Sequence, residues 1–227
     1  MRIEKTHDWN LTPREAAALQ ERLREMVVAR DDFSRVELVA GADAAFDKKA
    51  GLSFGAVVVF EFPSMREIER KAAARKLEFP YVPGLLSFRE IPVLLEAFAK
   101  LEHKPDLIMF DGQGMAHPRR FGLACHAGVL LDIPSIGCAK SRLTGEAEEP
   151  GIEPGDRSAL RDDDEIIGAV LRTRRNVKPV FVSIGHRVSL DSALKYTMAC
   201  CNGLRIPVPT RIADRYVGEF KGERPHS

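Results

Sequence analysis

Long apolar runs are absent from this chain. Nowhere does it approach the roughly 20 consecutive apolar residues that a membrane-spanning helix requires, so no membrane partner is expected. Cysteine is scarce as well. The four present, Cys125, Cys138, Cys200 and Cys201, form no C-x-x-C pair and two of them adjoin, a spacing that argues against a disulfide framework or a zinc site. An excess of one charge is also missing, since 34 basic residues meet 33 acidic ones, and any evidence for a nucleic-acid partner must come from local charge. The first residues are charged and carry no apolar signal-type stretch, which makes the cytoplasm the expected location. No internal repeat or low-complexity segment interrupts the chain.

What remains is an ordinary globular composition. At 227 residues and 44% hydrophobic, residues 1–227 are expected to form a single domain with a substantial core, and a monomer. Residues 12–30 carry apolar side chains at helical spacing (Leu19, Leu23, Met26, Val27), with Thr12 as cap and Pro13 at the first helical position. Residues 36–46 and 55–62 are β-rich runs joined by turn chemistry at 47–51, which predicts a hairpin. Residues 65–77 fit either a helix, by their Ala and Arg content, or a third strand, by their alternation. A helix is predicted over 86–101, with Ser87 as cap and Glu90 in its first turn. A buried strand at 107–110, a helix at 121–131, strands at 135–139 and 180–184 and a helix at 190–201 complete a mixed α/β sheet with helices on both faces. Residues 146–165 hold nine acidic and two basic side chains, the composition of a solvated surface insertion lying away from any phosphate backbone.

Asp111 follows four apolar residues and precedes Gly112-Gln113-Gly114, so its carboxylate is expected at the C-terminal end of a buried strand, where open α/β sheets bind ligands. Asp43 ends another apolar strand and reaches the same edge if the two strands are neighbours; Glu90 is a third candidate carboxylate. Hard oxygen ligands of this kind suit Mg²⁺ or Mn²⁺, whose charge also relieves the repulsion among them. Taken singly, each equally fits a surface or capping acid, and the case rests on the group. His117-Pro118-Arg119-Arg120, with Lys140 and Arg142 downstream, forms a local basic patch suited to phosphate contacts, although a solvated basic face has the same composition. Pro80-Tyr81-Val82-Pro83-Gly84 is a rigid turn presenting one aromatic ring, able to stack on a base or fill a gap in a duplex, or simply to pack over its own loop.

Together the segments F-P-Y-V-P-G-L-L-S-F-R-E (79–90), F-D-G-Q-G-M-A-H-P-R-R-F-G (110–122) and I-P-S-I-G-C-A-K-S-R-L-T-G (133–145), with G-A-D at 41–43 and P-x-P-T-R at 207–211, resemble the endonuclease V family over residues 10–216. The resemblance implies an RNase H-like fold whose sheet has three antiparallel strands followed by parallel ones, which makes 65–77 a strand. It also implies Mg²⁺-dependent cleavage, with Mn²⁺ as a substitute, of DNA containing inosine, with inosine-containing RNA as a further candidate substrate. The expected cut is the second phosphodiester 3′ to that base, leaving a 3′-hydroxyl and a 5′-phosphate, in DNA repair. By motif position, Asp43, Glu90, Asp111 and Asp214 correspond to metal-binding carboxylates, Lys140 to a lysine beside the scissile phosphate, and His117 to a histidine beside the metal centre. Tyr81 is the candidate wedge; Pro83, Gly84, Leu85, Leu86, Gly112 and Gly114 would line a base pocket, and Arg119 and Arg142 would meet phosphates. Ile184 and Val208 depart from residues common in the family, at positions away from the carboxylates. Rival readings are a non-catalytic binder of inosine-containing strands, an inosine-specific ribonuclease, and a cysteine hydrolase built on Cys125 or Cys138 with His126.

Overall fold

A computed structural model describes residue 3 and residues 7–223. Its centre is one eight-stranded sheet. The first three strands, β1 (Leu38–Asp47), β2 (Leu52–Glu61) and β3 (Arg66–Lys76), form an antiparallel meander, so 65–77 is indeed a strand. Helix propensity misleads there because β3 is an edge strand, and charged side chains on an edge discourage pairing with another chain. Next to β1 runs β4 (Leu107–Phe110), parallel to it, and then β5 (Ser135–Ala139), parallel to β4. Every residue of β4 and β5 is buried, which explains their continuous apolar runs without alternation.

Beyond β5 the sheet departs from expectation. β8 (Val180–His186) pairs antiparallel with β5, and a hairpin of β6 (Arg157–Asp162) and β7 (Glu165–Leu171) extends the sheet from β8. The strand order is β3-β2-β1-β4-β5-β8-β7-β6. The acidic segment at 146–165 therefore contains an entire strand and the first residue of another, with Leu160 fully buried. Its exposed acids lie in the loop before β6 and in the turn to β7, whereas β6 itself exposes Arg157, Ala159 and Arg161 and packs Leu160 inward, so the composition of the whole segment concealed the strand.

Helix α1 (Pro13–Leu23) has Thr12 as its cap, as predicted, in a capping box with Glu15, but ends after 11 residues in one 3₁₀ turn at Arg24–Met26. Met26 is exposed, so the apolar spacing beyond Leu23 does not continue a buried face. Helices α2 (Leu86–Ala99) and α3 (Leu123–Leu131) pack on one face of the sheet, where Ile91, Leu94 and Phe98 meet Ala40, Val57, Ile108 and Phe110. Helices α4 (Leu190–Cys201) and α5 (Val208–Gly222) cover the other, where Leu194, Val208 and Ala213 meet Val39, Leu107 and Met109. The packing of α5 is close: a Cβ on Gly41 would lie 2.1 Å from the carbonyl carbon of Pro209, so only glycine fits at 41. Among the described residues, no helix is long and apolar enough to cross a membrane.

Candidate active site

In the β1–β4 pair Ala42 stands opposite Phe110, which brings the next residues, Asp43 and Asp111, to one edge of the sheet. Side chains alternate along a strand, so the face that presents Gly41 to α5 also carries Asp43. Lys140 follows β5 at the same edge. Its Nζ pairs with Asp111 Oδ2 and lies 3.8 Å from Asp214 Oδ2 on α5. Glu90 belongs to α2, on the opposite face of the sheet. It sits in the second turn rather than the first, because α2 begins at Leu86 with Leu85 as its N-cap. Ser87 is not the cap: its hydroxyl lies 3.0 Å from His126 Nδ1.

The electrostatics record how crowded these acids are. Burial pushes the Asp43 carboxyl up to about 7; a backbone hydrogen bond from Ala44 opposes the rise and the charges of Asp111 and Asp214 add to it. Burial likewise raises Glu90 well above the carboxylate range, with Asp43 and Asp111 contributing in the same direction. Burial alone would lower Lys140, but its hydrogen bond to Asp111 and the nearby carboxylates hold its ammonium above the ordinary lysine value. Three carboxylates, Asp43, Asp111 and Asp214, thus act on the single ammonium of Lys140, with Glu90 close enough to feel Asp43 and Asp111. Among the described residues, no three metal-ligating side chains form a ready-made cage. The donor chemistry, hard oxygens with unrelieved negative charge, nevertheless fits a divalent cation such as Mg²⁺ or Mn²⁺ that retains water ligands.

A cavity of about 410 Å³ opens beside this edge. Asp111 and Lys140 belong to its lining, as do Tyr81, Pro83, Gly84, Leu86, Gly112, His117 and Arg142. Tyr81 stands 69% exposed at the mouth. The first turn of α2 faces the cavity through Leu86 and Ser87 and has no side-chain cap, so its backbone N–H groups are unclaimed by a cap.

Several expectations need correction. Leu85 does not line the cavity; it is buried in a cluster with Ala16, Leu19, Phe79 and Phe88. Gly114 serves packing, since a Cβ there would lie 2.0 Å from the Ile184 carbonyl oxygen. Arg119 is not free for phosphate: its Nη2 donates to the Gly84 carbonyl at 2.7 Å and its Nε to Gln20 Oε1 at 2.6 Å. His117 lines the cavity, but both its nitrogens are engaged within the chain. Nδ1 accepts from the Arg119 N–H at 3.1 Å, which leaves Nε2–H to donate to the Gly84 carbonyl at 3.0 Å. Burial and the Arg119 charge lower its pKa to about 4, so the ring is neutral at physiological pH. Arg120 pairs with Asp162 at 2.8 Å and Glu165 at 2.6 Å, which places the acidic β6–β7 turn against the basic loop.

Two glutamines in the cavity lining were missed. Gln113 donates from Nε2 to the Ser141 carbonyl at 2.9 Å, while its buried Oε1 has no partner among the described residues. Gln20, on α1, was detectable as a polar residue on the buried stripe with Ala16 and Leu19. The cysteine reading fails. Cys125 is buried, and burial raises its thiol to about 12; burial also raises Cys138 well above the ordinary thiol range and drives His126 well below the usual histidine range.

Comparison with known proteins agrees with this geometry. The family model described as Endonuclease V matches residues 21–215. An endonuclease V of Nostoc sp. is 50% identical over 216 residues, covering 95% of this chain and 98% of that protein. The crystal structure of Streptomyces avermitilis endonuclease V superposes with a TM-score of 0.91 at 41% identity, covering 98% of this chain and 99% of that one. That of Ciona intestinalis endonuclease V, in complex with a 23mer DNA containing an inosine followed by a ribo-adenosine, gives a TM-score of 0.82 at 30% identity, covering 94% and 100%. A match over this much of the chain, on an α/β fold with its acidic residues gathered at one sheet edge, means that the chain belongs to the endonuclease V family of metal-dependent nucleases.

Proposed function

We propose that this chain cleaves DNA at inosine, hydrolysing the second phosphodiester on the 3′ side and leaving a 3′-hydroxyl and a 5′-phosphate. The observation that carries the reading is the meeting of Asp43, Asp111 and Lys140 at the rim of a cavity guarded by the exposed Tyr81. Asp43 and Asp111 would hold Mg²⁺, or Mn²⁺ in its place, with Glu90 and Asp214 completing the site directly or through water. When bound, such a cation lowers the pKa of an attacking water and neutralises charge on the phosphate. Lys140 donates to a phosphate oxygen and offsets the charge that develops as water adds to phosphorus and the bond to O3′ breaks. Arg142 positions the backbone by its charge.

Base recognition falls to the cavity. Tyr81 fills the space left when the inosine is turned out of the strand. The uncapped N–H groups at the start of α2 are donors suited to the oxygen that deamination places on the purine ring. Asp111→Asn tests the assignment: nicking of an inosine strand should be lost while binding to that strand remains. Full nicking by this variant would overturn it. Retained binding together with absent cleavage in the unaltered chain under Mg²⁺ would instead favour a non-catalytic binder.

A further inference from the structure

Gln20 is 1% exposed, although it lies on a surface helix and carries an amide that water would solvate well. Burying an amide is costly unless its hydrogen bonds are met, and here they are met in a specific way. Nε2 donates to the Gly84 carbonyl at 3.2 Å and to the Phe121 carbonyl at 2.9 Å, and Oε1 accepts from Arg119 Nε at 2.6 Å. Gly84 closes the turn that presents Tyr81. Phe121 leads into Gly122 and Leu123, which belong to the lining of the same cavity. One side chain therefore ties together two separate parts of the cavity wall.

The Gly84 end of that turn is held with unusual thoroughness. Its carbonyl receives Arg119 Nη2, His117 Nε2 and Gln20 Nε2, three donors on one oxygen with two lone pairs. Gly84 itself has φ +77°, open to glycine at no cost, and a Cβ there would lie 2.9 Å from Arg119 Nη2. A saturated carbonyl cannot also accept from a base without losing a donor. The cluster thus fixes the shape of the wall and does not itself read the base edge.

We infer that Gln20 is a positioning residue for lesion selectivity: it sets the separation between the Gly84 and Phe121 segments, so that the cavity admits the flipped base in one geometry. The inference rests on the proposed base pocket. Arg119 and His117 act with it through Gly84, and none of the three touches the reacting phosphate. Loss of Gln20 leaves Gly84 with two donors but the Phe121 carbonyl with none from this side chain, so the two segments become uncoupled. Selectivity for the lesion should suffer while backbone binding, a matter of charge elsewhere, should not.

The test is the affinity for a single-inosine DNA strand relative to the matched undamaged strand, measured with full-length protein in the cleavage-silent Asp111→Asn background. Gln20→Met keeps the side chain's length and removes its hydrogen bonds. Gln20→Glu keeps the acceptor facing Arg119 and removes both donations. Each should lower the preference for inosine about tenfold, the scale of one or two lost buried hydrogen bonds, with affinity for the undamaged strand within about twofold of the parent. A merely structural defect would weaken both strands together. An unchanged preference in either variant, folded by its cooperative melting transition, overturns the role of Gln20, and Gln20→Glu decides if Gln20→Met does not fold. Absence of any inosine preference in the Gln20 parent overturns the base pocket itself, and this role with it.

Discussion

Asp43, within β1, and Asp111, which follows the last residue of β4, stand side by side one residue beyond the paired Ala42 and Phe110. Their meeting is thus fixed by sheet register rather than by a loop, and register is costly to change because a slip of one residue would turn every buried side chain to the wrong face. A rigid element suits a site in which small displacements of charge matter.

Lys140 separates catalysis from binding. Its Nζ lies between Asp111 and Asp214, where it offsets negative charge. Lys140→Ala should reduce kcat roughly 10²-fold or more, the scale for loss of a transition-state charge partner, with little change in KM. Steady-state nicking of an inosine strand checks this; an effect confined to KM would assign the lysine to ground-state binding.

The acid cluster also predicts a pH dependence of stability. Asp43 titrates at about 7 in the folded chain against an ordinary value of 3.8. Between those values the folded form carries the proton and the unfolded form does not, so metal-free stability from this group falls as pH rises through that window and levels off above 7. Asp43→Asn removes the share of the dependence that belongs to this group and leaves that of Glu90. Relative to the unaltered chain, the variant should gain about 2 kcal/mol between pH 5.5 and pH 8 in denaturant unfolding without metal. A difference that stays constant with pH contradicts the account.

Tyr81 offers a cleaner separation of binding from folding. It is 69% exposed, so Tyr81→Ala should change unfolding stability by no more than about 0.5 kcal/mol. Affinity for the inosine strand should nevertheless fall about tenfold, within the range expected for one lost base stack. An unchanged affinity would mean that the ring only packs over its loop.

The elements that determine the site were largely legible in the sequence. The apolar run before Asp111 announces a buried strand with an acid just past its end, and the hairpin turn at 47–51 announces β1 and β2; Asp43, expected at the end of its strand, instead lies within β1, which continues to Asp47. Less visible was α5, which carries Asp214, because Val208-Pro209 reads as a turn until Pro is seen to occupy the first helical turn. The β6–β7 hairpin was hidden by the acids of its turn and of the loop that precedes it. Arg119 and His117 mark a different limit. Residue type reveals charge and donors, but only the tertiary structure reveals that Gly84 has already claimed them. Gln20 lay beyond motif reasoning because its partners, Gly84 and Phe121, are 64 and 101 residues away.

Metal-dependent hydrolysis at inosine is read out by incubating matched DNA and RNA strands, each with one inosine, with Mg²⁺ and separately with chelator, and mapping the products. The DNA strand should be cut at the second phosphodiester 3′ to inosine with Mg²⁺ and left intact with chelator, with the RNA arm deciding whether ribose is also accepted. No cleavage of either strand under Mg²⁺, or equal cleavage in chelator, would contradict that activity.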